Sequence, residues 1–138
     1  MDHYIKKILT ARVYDVSKET PLEPAPGLSA KTGNHVLLKR EDMQPVFSFK
    51  SRGAYNRIYK LKQQQPDTEG VVCASAGNHA QGVAMSAGRL GIRAVIVMPK
   101  TTPTIKVDAV RNLGAEAVLH GDNYDAVSYT HLTLPTKA

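Results

Sequence analysis

The apolar positions of the first residues follow a helical rhythm. Tyr4, Ile5, Ile8, Leu9 and Val13 recur at that spacing with lysines on the other face, which predicts an amphipathic packing helix over residues 3 to 16. The stretch "KETPLEPAPGLSAKTGN" that follows breaks the rhythm with three prolines and two glycines. It predicts an extended or irregular connection, with any helix near Leu28 to Lys31 short. "HVLLKRE", residues 35 to 41, predicts a strand.

From Ser48 onward the pattern becomes regular. Helical periodicity over residues 51 to 63 gives way to the apolar run "GVVCAS" at 70 to 75, then to a helix over 78 to 90 and a second run, "RAVIVM", at 93 to 98. A helix over 103 to 113 begins at Pro103 and stops at Gly114, the proline-first, glycine-last order of helix ends. "EAVLH", 116 to 120, completes the series. Short apolar strands alternating with helices predict an open parallel α/β sheet flanked by helices, whose ligands sit at the carboxyl ends of the strands.

The last eleven residues, "SYTHLTLPTKA", depart from this pattern: they are threonine-rich, lack helical periodicity, and interrupt a helix expected to start near Asn123. They are similar to the translated read-through of a sequencing adaptor. Residues 128 to 138 are therefore expected to be an artefactual tail on a truncated N-terminal piece.

Composition narrows the function classes. The chain has 138 residues, 42% of them hydrophobic, enough for one compact domain or part of a larger one. Its net charge of +6 is scattered and aromatics are only 6%, so the interleaved basic and aromatic pattern of a nucleic-acid binder is missing. No run of about 18 apolar residues predicts a membrane span, and the start lacks a secretory core, so a cytoplasmic protein is expected. The lone Cys73 lies in an apolar run and reads as a small buried hydrophobe. The histidines, among them His3, His35, His120 and His131, lack metal-ligand spacing, and no metal is expected.

Two stretches carry candidate chemistry. "SAGNHAQG", residues 75 to 82, joins a strand end to a helix start, where Gly77 permits close backbone approach and exposed N–H groups favour an anion. Taken alone, it reads equally well as a tight turn capped by Asn78. Gly77 and Gly82 are five apart, which does not fit the dinucleotide fingerprint. In "SFKSRGAY", Lys50 follows Phe49, a flat apolar face beside a primary amine of the kind that forms Schiff bases. An isolated lysine in such a stretch is ordinarily a solvated charge.

Taken in order, "LLKREDMQPVFSFKSRGAY" (37 to 55), "ASAGNHAQGVA" (74 to 84) and "KVDAVRNLGAEAVLHG" (106 to 121) resemble the biosynthetic threonine dehydratase family, fold-type II pyridoxal-phosphate enzymes built like the tryptophan synthase β chain. The resemblance spans nearly all of residues 4 to 127. It implies that Lys50 binds pyridoxal 5'-phosphate through its amine and acts as base at the substrate α-carbon. Phe49 would back the cofactor ring and Asn78 would bond its 3-hydroxyl oxygen. Ser75, Ala76, Gly77, Asn78 and His79 would receive the substrate carboxylate. The implied reaction converts L-threonine to 2-oxobutanoate and ammonia, the first step of isoleucine biosynthesis, in a homo-tetramer.

The same resemblance implies residues 1–53 as the start of a large cofactor-binding domain and 54–127 as an incomplete small domain, with the chain by itself inactive. Arg52 is expected in a structural salt bridge, and His79 in packing or hydrogen bonding. Ser51 stands where the family usually carries Leu or Ile, so looser packing beneath the lysine is expected. Serine dehydratase, serine racemase and a non-catalytic α/β ligand-binding fragment are the alternatives. Against the racemase stands Ala76, which occupies the position of that enzyme's proton-donating serine.

Overall fold

The computed structural model describes residues 2–123, 125 and 127. A three-stranded parallel sheet forms its centre, in the order β3–β4–β5: β3 is Gly70–Ala74, β4 is Arg93–Met98 and β5 is Glu116–Leu119. Pairing runs from Gly70 opposite Arg93 to Ala74 opposite Val97, and from Val95 opposite Glu116 to Met98 opposite Leu119. Helices α3 (Lys50–Gln64), α4 (Asn78–Leu90) and α5 (Thr104–Asn112) alternate with these strands. The alternating pattern read from residue 51 onward thus corresponds to an α/β sheet with helices.

The core forms where α3, α4 and α5 meet β4. Ala54 and Ile58 of α3, Ala80, Val83, Ala84 and Ala87 of α4, Ile96 and Met98 of β4, and Val107 and Val110 of α5 are buried together. β4, the central strand, buries Ile96, Val97 and Met98 completely, as expected of a parallel strand enclosed on both faces. The small residues of α4 let its axis come close to α3. Gly91, with φ +67°, closes α4 in the left-handed conformation that glycine adopts without strain.

The N-terminal third differs from its sequence pattern in two places. Instead of one helix over 3 to 16, α1 (Asp2–Leu9) ends early and a separate 3-10 turn follows over Val13–Asp15. The apolar face of α1 does not pack on the described chain, with Tyr4, Ile8 and Leu9 all more than 70% exposed. Nothing therefore extends the helix beyond its own propensity, whereas the Val13–Asp15 turn docks on α3 through Asp15, which accepts a 2.8 Å hydrogen bond from Tyr55 Oη. The proline-rich connection also contains a strand. β1 (Leu22–Pro24) pairs antiparallel with β2 (Leu37–Lys39), and α2 (Pro26–Thr32) lies between them. Pro24 is tolerated because this two-stranded sheet has only edges.

The helix expected near Asn123 and the tail at 128 to 138 lie largely or wholly outside the described residues. Among the described residues no helix is long and apolar enough to cross a membrane.

Candidate active site

Lys50 is the first residue of α3, and the backbone immediately before it sets how it emerges. Phe47 has φ +54°, an uncommon left-handed conformation for an aromatic residue, and its N–H bonds to the Gln44 carbonyl at 2.8 Å. This reversal leaves Val46 and Ser48 buried while Phe47, Phe49 and Lys50 are exposed. The Lys50 ammonium lies 5.3 Å from the centroid of the Phe49 ring, and among the described residues no carboxylate pairs with it. A primary amine thus stands beside an open aromatic face.

The loop between β3 and α4 faces this point. Ser75 continues the strand ladder, its N–H bonding Val97 O at 3.1 Å, so the loop starts at the carboxyl edge of the sheet. The Ser75 hydroxyl accepts from Gly77 N–H at 3.3 Å. Gly77, with Asn78 next to it, is the N-cap of α4 and supplies no side-chain cap. Asn78 is therefore the first helical residue rather than the cap, and its exposed amide makes no hydrogen bond among the described residues. A Cβ built on Gly77 would meet nothing within 4 Å. Packing within the described chain does not require glycine there; the space is open to a ligand.

Gly82 draws the two elements together. A Cβ at this position would fall 3.1 Å from the Lys50 carbonyl oxygen and 3.4 Å from Ala54 Cβ, so α4 crosses α3 at its first turn. Asn78 lies one turn before Gly82 on the same side of α4. The structure thereby brings the start of α3, with Lys50 and its neighbour Phe49, close to the start of α4, where the Lys50 charge reaches His79. Gly82 was legible in the sequence only as a poor fit to a nucleotide motif; its role as a close-approach residue needs the helix crossing.

His79 also feels the lysine. Burial, and secondarily the positive charge of Lys50, hold its imidazole below the usual histidine range. It lines an open apolar groove of about 430 Å³ between α3 and the outer edge of β3, together with Ala54, Ile58, Val71 and Val83. Cys73 lies on the same groove, and burial pushes its thiol up to about 11, which suits a hydrophobe rather than a nucleophile.

Behind Lys50 the packing is polar. Arg52 forms the expected ion pair, with Glu41 at 2.8 Å. Ser51 is fully buried, and its hydroxyl lies 2.9 Å from that of the buried Ser17. A second serine thus meets the one at position 51, where looser packing was expected.

These residues fit the ring and aldehyde end of pyridoxal phosphate: an unpaired amine, a flat apolar face, an uncommitted amide and an open helix start. Among the described residues there is no second glycine-rich loop to serve as a cradle for the phosphate.

Residues 13–133 match the family described as pyridoxal-phosphate dependent enzyme. A biosynthetic, chloroplastic threonine dehydratase 1 of Solanum lycopersicum is 62% identical over 122 residues, which is 88% of this chain and 20% of that protein. The structure of the processed form of threonine deaminase isoform 2 from Solanum lycopersicum superposes with a TM-score of 0.87 at 52% identity, over 96% of this chain and 36% of that one. Maize serine racemase superposes with a TM-score of 0.83 at 33% identity, over 94% of this chain and 40% of that one. The chain thus spans about a fifth to a quarter of the length of the curated relatives it matches.

Proposed function

The chain belongs to the pyridoxal-phosphate-dependent enzyme family, and on that premise we propose that it is the N-terminal part of an ammonia-lyase converting L-threonine to 2-oxobutanoate and ammonia. The observation that supports this reading is the close approach of Gly82 to the Lys50 carbonyl, which joins the helix start bearing the amine and Phe49 to the helix that begins at the Ser75–His79 loop. The bound cofactor supplies an electron sink that acidifies the substrate α-carbon.

The chain's own residues do the rest. Lys50 would hold the cofactor through its amine and, once the substrate amine has displaced it there, the freed lysine would take the α-proton. Phe49 would back the ring, and the Asn78 amide would bond the 3-hydroxyl oxygen. The substrate carboxylate is received by the Ser75, Ala76, Gly77, Asn78 and His79 loop, whose first helical N–H groups have no intrahelical partner. His79 serves packing or hydrogen bonding in this reading, because Lys50 already supplies the base.

Residues 1–53 belong in this reading to the larger domain and 54–127 to the smaller, with the boundary inside α3. The parent works as a homo-tetramer in the cytoplasm, or in a plastid where its relatives are named chloroplastic. Serine is the second substrate to test. A racemase is the second reading, favoured by the likeness to maize serine racemase and opposed by Ala76, which has no proton to give to the far face of the α-carbon.

In the intact gene product, Lys50→Ala should abolish both 2-oxobutanoate formation from threonine and the visible absorbance of lysine-bound cofactor. Retained turnover in that variant sinks the assignment. Chiral analysis of serine after incubation with the unaltered enzyme separates elimination from racemisation.

A further inference from the structure

The first turn of α3 carries two cations, Lys50 and Arg52, and no acidic residue, and its N-cap residue Phe49 makes no side-chain capping bond. Apart from a long 3.3 Å bond from the Lys50 N–H to Ser48 Oγ, no side chain caps this helix start, and no favourable charge holds it in place. A carboxylate from outside the helix supplies the restraint. Glu41 accepts from Arg52 Nε at 2.8 Å and from Arg52 Nη2 at 3.0 Å, a two-pronged grip that fixes the plane of the guanidinium.

Glu41 is itself held from the other side. Thr20 Oγ1 donates to it at 2.6 Å and Gln44 Nε2 at 3.2 Å. Gln44 is almost fully buried and bonds both the N–H of Lys18, at 2.8 Å, and its carbonyl, at 2.9 Å. Arg52 Nη2 reaches the same Lys18 carbonyl at 3.1 Å. The hydrogen bonds of Arg52 keep the Glu41 carboxyl low, at about 2, so the grip stays charged through the working pH range.

We propose that Glu41 is a positioning residue for Lys50: by clamping Arg52 to the Lys18–Thr20 segment it fixes the first turn of α3 and hence where the lysine amine is presented. The first turn of α3 thus bears both this clamp, at Arg52, and the close approach of Gly82, at the Lys50 carbonyl. A reacting group misplaced by about 1 Å loses on the order of a hundred-fold in rate, so a restraint two residues away acts on the chemistry without touching it.

This inference rests on the reading of Lys50 above, and the test separates the two. The intact gene product, stripped of cofactor, is mixed with pyridoxal phosphate, and the rate of covalent linkage is followed by visible absorbance. Borohydride trapping and mass spectrometry of the Lys50 peptide then locate the link.

Glu41→Gln should slow linkage by about ten-fold or more and lower kcat with little change in KM. Asp42→Asn, which removes a neighbouring carboxylate paired with Arg40, should link at the parent rate. Parent rates in Glu41→Gln overturn the proposal even if its thermal stability falls. If Glu41→Gln does not fold, Arg52→Lys decides: it keeps the charge and loses the fork, so slowed linkage in a folded protein supports the clamp and unchanged linkage overturns it. Trapping in a Lys50→Ala protein, by contrast, overturns the reading of Lys50 itself.

Discussion

Gly82 of α4 lies against the peptide carbonyl of Lys50, so close that a Cβ would stand 3.1 Å from the oxygen and 3.2 Å from the carbon. Both atoms are backbone in the first turn of a helix, and neither can swing aside as a side chain would. Glycine costs α4 about 1 kcal/mol in helix propensity relative to alanine. The crossing of α3 and α4, which brings Lys50 to the loop, is what that cost secures.

Gly82→Val should therefore destabilise the intact gene product by about 1 to 3 kcal/mol and weaken cofactor linkage at Lys50. Gly82→Ala should be milder, its helix gain of about 1 kcal/mol offsetting part of the crowding. Gly88, near the other end of α4, meets only Leu113 O at 3.4 Å, so Gly88→Ala should raise stability by about 0.5 to 1 kcal/mol and leave linkage unchanged. Thermal denaturation beside a pyridoxal phosphate titration ranks the three. A Gly82→Val protein as stable and as reactive as the parent refutes the close-approach argument.

The buried hydroxyl pair Ser17 and Ser51 makes a second prediction. Removing the Ser51 hydroxyl leaves that of Ser17 without its partner, at a cost of about 1 to 3 kcal/mol, whereas removing that of Ser17 leaves Ser51 its longer 3.4 Å bond to the Ser48 carbonyl and should cost less; removing both removes the need. Ser17→Ala and Ser51→Ala should each destabilise, and the double variant should cost less than their sum. Ser51→Leu alone should be worse than Ser51→Ala, since it crowds a fully buried position and still leaves Ser17 unpaired. Strict additivity in a double-mutant cycle, by urea or thermal unfolding, argues against a hydrogen bond between them.

Much of the fold downstream of Ser48 was legible because its elements are buried on a defined face. The 78 to 90 helix and the 93 to 98 strand coincide with α4 and β4 residue for residue, where alternating apolar runs and a glycine stop leave little choice. The N-terminal third was less legible for a physical reason. The apolar spacing of Tyr4, Ile5, Ile8 and Leu9 predicts a packed face, yet that face meets nothing in the described chain. β1 hid in a proline-rich stretch because a two-stranded edge tolerates proline. For the candidate site, the pattern marked Lys50, Phe49 and the Ser75–His79 loop only as candidates and the family resemblance gave them roles, but neither pointed to the residues that hold them. Glu41, Gln44 and Ser17 act through contacts to residues 11 to 34 positions away, and no local spacing encodes those.

Acid should act on the clamp in a defined window. The Glu41 carboxyl, lowered to about 2 in the fold mainly by hydrogen bonding to Arg52, returns to about 4.5 when the chain unfolds. Its folded value is the depressed one, so its contribution to stability is complete above about 4.5 and is lost as pH falls toward 2. Unfolding midpoints of the intact gene product should drop across that range, and Glu41→Gln should flatten this part of the profile. Parallel profiles for parent and variant would show that Glu41 is not the group responsible.

His79 offers a direct probe of the approach between loop and lysine. Its imidazole is lowered first by burial and second by the Lys50 charge, so the two causes can be separated by removing one. In Lys50→Met, which keeps most of the side-chain bulk and loses the charge, His79 should titrate higher than in the parent but still below 6.5, because burial remains. The sign matters for stability as well: a histidine depressed in the fold takes up its proton more readily when unfolded, so stability declines as pH falls below 6.5. Proton–nitrogen correlation spectra of the apo-protein, recorded from pH 5 to 8, would follow the ring directly. A His79 that titrates identically in parent and Lys50→Met places the amine too far from the loop to share a ligand with it, and the whole arrangement around Gly82 would need to be redrawn.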